Sequence, residues 1–94
     1  MRRFVLLVDS ETTNEVSSFV EYLKKEGYGW FHRTSNSWLI TTTNSTLTTE
    51  KLRDSAITFF PNRMLVVINM INGDWNGWGI KSNFDWFNES DGWG

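Results

Sequence analysis

The C-terminal run of the chain places large aromatic rings between glycines. Residues 73–86 read GDWNGWGIKSNFDW and contain Trp75, Trp78 and Trp86, three of the six tryptophans of the chain. Each such ring can bury about 150–250 Å² of surface, so this run needs a surface on which to pack. We therefore expect residues 73–94 to form a C-terminal extension, with the three rings as buried anchors on the same sheet or on a partner subunit.

Length and composition narrow the class of protein. A chain of 94 residues is expected to form one domain with one modest core. The absence of cysteine excludes a disulfide framework and a thiolate metal site. The N-terminal apolar run ends at Asp9 and is too short for a signal peptide or a membrane span. A soluble, cytoplasmic protein is the expectation.

The charge of the chain is low and unevenly distributed. The net charge of −2 is not typical of a nucleic-acid-binding protein. Residues 74–94 contain one lysine against four acidic side chains, so the extension is the acidic part. A solvated terminus explains this pattern, and an acidic binding arm is the alternative.

Hydrophobic periodicity predicts an alternating order of strands and helices. Thr12 and Glu15 have the spacing of a capping box, and apolar residues follow at helical intervals from Val16. Thr48 can cap a second helix, which Pro61 ends. Apolar and β-branched runs predict the strands, which span residues 4–8, 28–33, 37–42 and 64–71.

The resulting βαββαβ order predicts an α+β protein with the ferredoxin-like fold. In this fold a four-stranded antiparallel sheet carries two helices on one face, and the first and third strands are central. Because the first and fourth strands are apolar on both faces, the face opposite the helices needs a cover. The cover is expected to be the C-terminal extension, a partner chain or both, and we predict a homodimer.

Few residues are candidates for chemistry. Asp9 ends the first strand, where a carboxylate could bind Mg²⁺, although it also suits a strand-end turn. Two such residues facing each other across a dimer axis would make a better site, in which the metal could activate water. His32, the single histidine, could be a catalytic base or a solvated strand residue. No serine, histidine and acid occur at a triad-like spacing, and Trp38 lacks the basic surroundings of an RNA-binding sheet.

Short motifs along nearly the whole chain resemble a known family. They are Trp30-Phe31-His32, Ser37-Trp38-Leu39-Ile40, Leu52-Arg53-Asp54, Leu65-Val66-Val67-Ile68, Asp74-Trp75-Asn76-Gly77-Trp78 and Asp85-Trp86. Together with Asp9 they resemble the small CRISPR-associated ferredoxin-like proteins, which act as nucleases or integration scaffolds, and in particular the SinR-like branch. The resemblance implies a homodimer built through the sheet faces, with C-terminal segments contacting the partner. It also implies that Asp9 holds a catalytic metal, although the basic surface of a nucleic-acid scaffold is not visible in the composition.

Two functions follow as hypotheses. The first is a homodimer related to metal-dependent endonucleases, in which Asp9 of each subunit holds a shared Mg²⁺. Its phosphate contacts would be Arg2, Arg3 and Arg33, and its interface would contain Trp38, Trp75, Trp78 and Trp86. The second is a non-enzymatic interaction module, such as a toxin–antitoxin component or a phage anti-defence protein, with the Trp-rich extension as the partner surface.

Overall fold

The computed structural model describes residues 1–71, 74–79, 81–89 and 92–93. It confirms the predicted βαββαβ order and adds a 3-10 helix in the C-terminal extension. The elements are β1 Arg2–Val8, α1 Thr13–Glu26, β2 Gly29–Thr34, β3 Ser37–Thr42, α2 Thr49–Phe59, β4 Leu65–Asn69 and the 3-10 helix Lys81–Asn88.

The four strands form one antiparallel sheet in the order β2-β3-β1-β4. The first and third strands are therefore central, as predicted. Leu6 of β1 lies between Trp38 of β3 and Val67 of β4 in the register of the sheet. This order leaves β2 and β4 as the two edge strands.

Local signals in the sequence set the helix ends. The Thr12 side chain accepts a hydrogen bond from the Glu15 backbone, and the Glu15 carboxylate accepts one from the Thr12 backbone, so the predicted capping box is present. Gly27 ends α1 with φ at 75°, a left-handed conformation that favours glycine. Thr48 caps α2, as its position before the apolar run predicts.

The core lies between the helices and one face of the sheet. It is built from alternate residues of the central strands and from the inner faces of α1 and α2, and rings dominate it. Phe19 packs edge-on against Trp38 at 5.0 Å and against Phe60 at 5.1 Å between ring centroids. Trp38 has no exposed surface. The prediction that Trp38 contributes to an interface is therefore wrong, because its ring faces the helices and not the open side of the sheet.

The C-terminal extension packs on the open face of its own sheet. The ring centroid of Phe31 in β2 lies 5.4 Å from that of Trp86 and 5.0 Å from that of Phe87. Arg3 in β1 donates a hydrogen bond from Nε to the carbonyl of Trp93 at 2.7 Å. The extension therefore covers the part of the open face around Phe31 of β2 and Arg3 of β1.

The rings of the extension do not all serve as anchors. Trp78 is 98% exposed and Trp75 is 39% exposed, so these two rings do not anchor the extension on its own sheet, whereas Trp86 is half-buried. Phe87 and Trp93 are the buried anchors instead. Phe87 lies at the centre of the cluster because it contacts the rings on the sheet and those of the extension alike.

None of the helices in the described ranges has the length and apolar character that crossing a membrane requires.

Candidate functional site

Polar side chains gather at the end of the sheet where β1 runs into α1. Asp9 directly follows β1, and its backbone N–H donates to the carbonyl of Met64 at 3.1 Å. Its side chain is exposed and has no hydrogen-bond or ion-pair partner among the described residues. Asp9 therefore presents a carboxylate to solvent from a backbone position that is hydrogen-bonded to the segment before β4.

Glu11 organises this end of the molecule. Its Oε1 accepts hydrogen bonds from the backbone N–H of Asn36 at 2.9 Å and from Nε2 of His32 at 2.9 Å. Its Oε2 accepts a hydrogen bond from Nε1 of Trp38 at 3.1 Å. Because three donors from β2, β3 and the turn between them share one carboxylate, Glu11 ties the loop before α1 to the β2–β3 hairpin.

His32 is held on both nitrogens and on one ring face. Its Nδ1 lies 2.7 Å from the carbonyl of Ser37, its Nε2 faces Glu11, and its ring stacks on Trp38 at 3.8 Å between centroids. Both ring nitrogens therefore lie within hydrogen-bond distance of an oxygen acceptor. The His32 side chain is only 17% exposed.

This geometry replaces both interpretations of His32 that the sequence allowed. The ring is not a solvated strand residue, since it is mostly buried and both of its nitrogens contact protein oxygens. For the ring to act as a general base, one of these two contacts would have to break. His32 therefore connects β2 to β3 and to the loop before α1.

A second carboxylate in the same region is also engaged. Glu15 forms an ion pair with Arg63 at 3.0 Å in addition to the capping box. The hydrogen bond from the Thr12 backbone, together with those from Arg63, holds the pKa of Glu15 below its ordinary value. Arg63 also donates a hydrogen bond to the carbonyl of Ser10, so this pair joins the segment before β4 to the loop before α1.

The residues of a single chain do not fit a Mg²⁺ site at Asp9. Mg²⁺ is held through several oxygen ligands in nearly octahedral geometry. In the described part of the chain no group of three or more histidine, aspartate or glutamate side chains is placed to hold a metal. The Glu11 carboxylate is already occupied by its three donors. A metal at Asp9 would need ligands from a second subunit.

The three arginines predicted to contact phosphate do not form one patch. Arg2 lies on the helix side of β1, with its guanidinium 5.7 Å from the centroid of the Phe4 ring. Arg3 lies on the open face and is bound to Trp93. Arg33 is exposed in β2. The alternation of side chains along β1 separates the first two arginines, so no continuous cationic surface results.

A cleft of about 470 Å³ lies along β2, between that strand and the 3-10 helix. Its lining includes Arg33 on one wall and Asp85 and Glu89 on the other. His32 also borders it, but its nitrogens are occupied. The cleft therefore combines ring surface with a guanidinium on one wall and two exposed carboxylates on the other.

The most exposed apolar surface of the sheet lies on β1 and β4, beyond the C-terminal extension. Leu7, Val66 and Ile68 are 38–44% exposed and lie on the same face. Leu7 is directly opposite Val66 in the register, and Val5 is opposite Ile68. We call Leu7, Val66 and Ile68 the open-face strip, and it is the candidate interaction surface.

The fold defines an α+β protein of the ferredoxin-like type. No protein-family model matches the chain, and comparisons with curated proteins and with solved structures give no match either. The class of fold therefore rests on the order of the elements and on the sheet topology. A fold of this type does not by itself specify a function, which depends on the residues at the surface.

Sequence reasoning did not anticipate Glu11, Phe87 or Trp93 as important positions. A carboxylate two residues beyond a strand end has no local signature that pairs it with a distant histidine. Phe87 and Trp93 lie in the same ring-rich extension as the exposed Trp78, and no local pattern distinguishes buried rings from exposed ones there.

Proposed function

We propose that this protein is a homodimeric interaction module that acts by binding and has no catalytic activity of its own. Its working surface is the open-face strip on β1 and β4, together with the protruding ring of Trp78. In this proposal a second copy of the chain meets β4, and the combined surface binds a further protein.

The observation that carries the proposal is the incomplete cover of the sheet. The C-terminal extension packs over β2 and the adjoining part of the open face, and the strip of β1 and β4 stays exposed. Contiguous apolar surface on a small domain marks a protein-binding site more often than a free surface. Trp78, which is almost fully exposed, adds the type of side chain that is enriched at such sites.

The polar end of the sheet supports the same proposal. Its histidine and two of its carboxylates serve the fold: Glu11 binds three donors, Glu15 binds Arg63, and His32 is held on both nitrogens. Only Asp9 has an exposed, unpartnered carboxylate among these groups. One carboxylate is a poor basis for metal-dependent catalysis.

A second candidate function rests on that exposed carboxylate. If two Asp9 side chains met across a dimer axis, they could hold Mg²⁺ as the resemblance to CRISPR-associated nucleases implies. The test is incubation of the wild type and Asp9→Asn with labelled single- and double-stranded RNA and DNA in Mg²⁺ or Mn²⁺. We expect no cleavage by either protein, and cleavage that chelator and Asp9→Asn both abolish would establish the nuclease instead.

The oligomeric state tests the first proposal. Sedimentation equilibrium at micromolar concentration should give twice the chain mass of 11.0 kDa. The double substitution Val66→Lys/Ile68→Lys should give the monomer mass, because it places like charges next to each other where the copies meet. Ser18→Lys adds the same type of charge on the exposed side of α1 and should leave the dimer intact. A monomeric wild type would contradict the proposal.

A further inference from the structure

The outer edge of β4 presents a row of unpaired backbone groups. Toward β1, Met70 donates its N–H to the carbonyl of Arg3 at 2.8 Å, and Asp9 donates to the carbonyl of Met64 at 3.1 Å. The backbone groups of the even-numbered residues of this segment therefore face β1. Since these groups alternate in direction along a strand, those of Leu65, Val67 and Asn69 face outward.

The outer edge of β4 lacks the usual protection against pairing. Edge strands of soluble proteins are commonly guarded by charged side chains, proline or bulges. Residues 64–70 read MLVVINM and contain neither a charge nor a proline. β4 pairs with β1 without a bulge, and in the described part of the chain no strand pairs with its other side.

We propose that the β4 strands of two copies pair in antiparallel orientation about a two-fold axis at Val67, a geometry that rests on the homodimer proposed above. Val67 then faces Val67 of the partner subunit, and Leu65 faces Asn69 of the partner subunit. This register uses the whole strand from Leu65 to Asn69, and every outward N–H and C=O on it finds a partner. Moving the axis to Leu65 or Asn69 would leave most of these groups unpaired.

The same register suits the side chains. On the open face, Val66 lies beside Ile68 of the partner subunit, and Ile68 lies beside Val66 of the partner subunit. The two open-face strips therefore join across the axis into one apolar surface on an eight-stranded sheet. Cross-strand pairs of β-branched residues stabilise such a junction.

The proposed register has a consequence for Asp9. Asp9 lies next to Met64, three residues along the strand from the axis and one strand further out. With a rise of about 3.4 Å per residue and about 4.8 Å between strands, the two Asp9 residues are about 25 Å apart. Two carboxylates at that separation cannot share a metal ion, so this dimer is incompatible with the shared Mg²⁺ site.

Disulfide trapping tests the register, because the wild-type chain has no cysteine. In Val67→Cys the two Cα atoms would be about 5.5 Å apart, within the range that a disulfide spans. Mild oxidation should convert most of this variant into a covalent dimer on a non-reducing gel. In the control Leu65→Cys the equivalent atoms would be about 14 Å apart, and this variant should stay uncrosslinked.

The outcomes separate this inference from the proposal on which it rests. Equal crosslinking of both variants, or crosslinking of Leu65→Cys alone, would overturn the register while leaving a homodimer in place. If the cysteine variants dissociate, hydrogen exchange of the wild type decides: the amides of Leu65, Val67 and Asn69 should be protected at dimer concentrations and lose protection on dilution. Fast exchange of these amides in a wild type that sediments as a dimer would overturn edge pairing alone. A monomeric wild type would overturn both proposals.

Discussion

Oε1 of Glu11 lies 2.9 Å from Nε2 of His32 and so joins the loop after β1 to the edge strand β2. The same carboxylate binds the indole N–H of Trp38, on whose ring His32 stacks. A strand-end acid, the single histidine and a core tryptophan therefore form one unit. An acid beside a histidine is also found in catalytic sites, but here both nitrogens of His32 contact protein oxygens.

Glu11 is expected to be important for stability. Glu11→Ala leaves the partly buried donors of His32 and Trp38 without an acceptor, and each unpaired buried donor costs about 1–3 kcal/mol. Glu11→Gln should cost less, because its carbonyl oxygen can still accept a hydrogen bond. Urea unfolding at pH 7 measures both, with Glu21→Ala as the control on the exposed side of α1. Equal midpoints for Glu11→Ala and the control would show that the cluster contributes nothing.

The capping box of α1 should weaken in acid. The pKa of Glu15 is lowered from its ordinary value of 4.5, chiefly by the Thr12 backbone hydrogen bond. A carboxyl with a lowered folded-state pKa contributes stability that is fully present above the unfolded value. That contribution is lost as the pH falls through the folded value.

The measurement for this prediction is the urea midpoint of the wild type and of Glu15→Gln between pH 7 and pH 2.5. The wild type should be the more stable protein at pH 7, and the difference should shrink below pH 4.5. A difference that stays constant across this range would mean that the charge of Glu15 has no part in the stability.

Replacement by alanine should have very different effects on stability at two aromatic residues of the C-terminal extension. Phe87 is buried among rings of the sheet and of the extension, so Phe87→Ala should destabilise the protein by about 3–5 kcal/mol. Trp78 is almost fully exposed, and Trp78→Ala should change stability by less than about 0.5 kcal/mol. Thermal unfolding of the two variants compares their stabilities, at protein concentrations below the dissociation constant of the proposed dimer. Similar losses for both would contradict the described packing.

Gly92 should be difficult to replace. A Cβ at this position would overlap the backbone carbonyl of Trp86, which cannot move without shifting the 3-10 helix. Gly92→Ala should therefore destabilise the chain by about 1–3 kcal/mol, the range for overpacking. Asn88→Ala, at an exposed position nearby, is the control. Unfolding midpoints of the two variants that agree within error would argue against the close approach.

The order of the elements could be predicted from the sequence because local interactions carry it. The capping box of Thr12 and Glu15, the helical spacing that begins at Val16 and the break at Pro61 each act over a few residues. The antiparallel sheet with β1 and β3 in the centre then follows from short connections and handedness. The two-sided apolar strands also predicted that the open face needs a cover.

The candidate site depends on contacts between distant parts of the chain, which only the tertiary structure decided. Glu11 meets His32 and Trp38 because the β2–β3 hairpin folds back beside the end of β1, and no local pattern encodes that approach. Burial of Phe87 and exposure of Trp78 likewise depend on the path of the extension over β2. Composition alone determined that large rings had to pack somewhere, whereas the geometry of the sheet determined which rings did so and left the strip on β4 exposed.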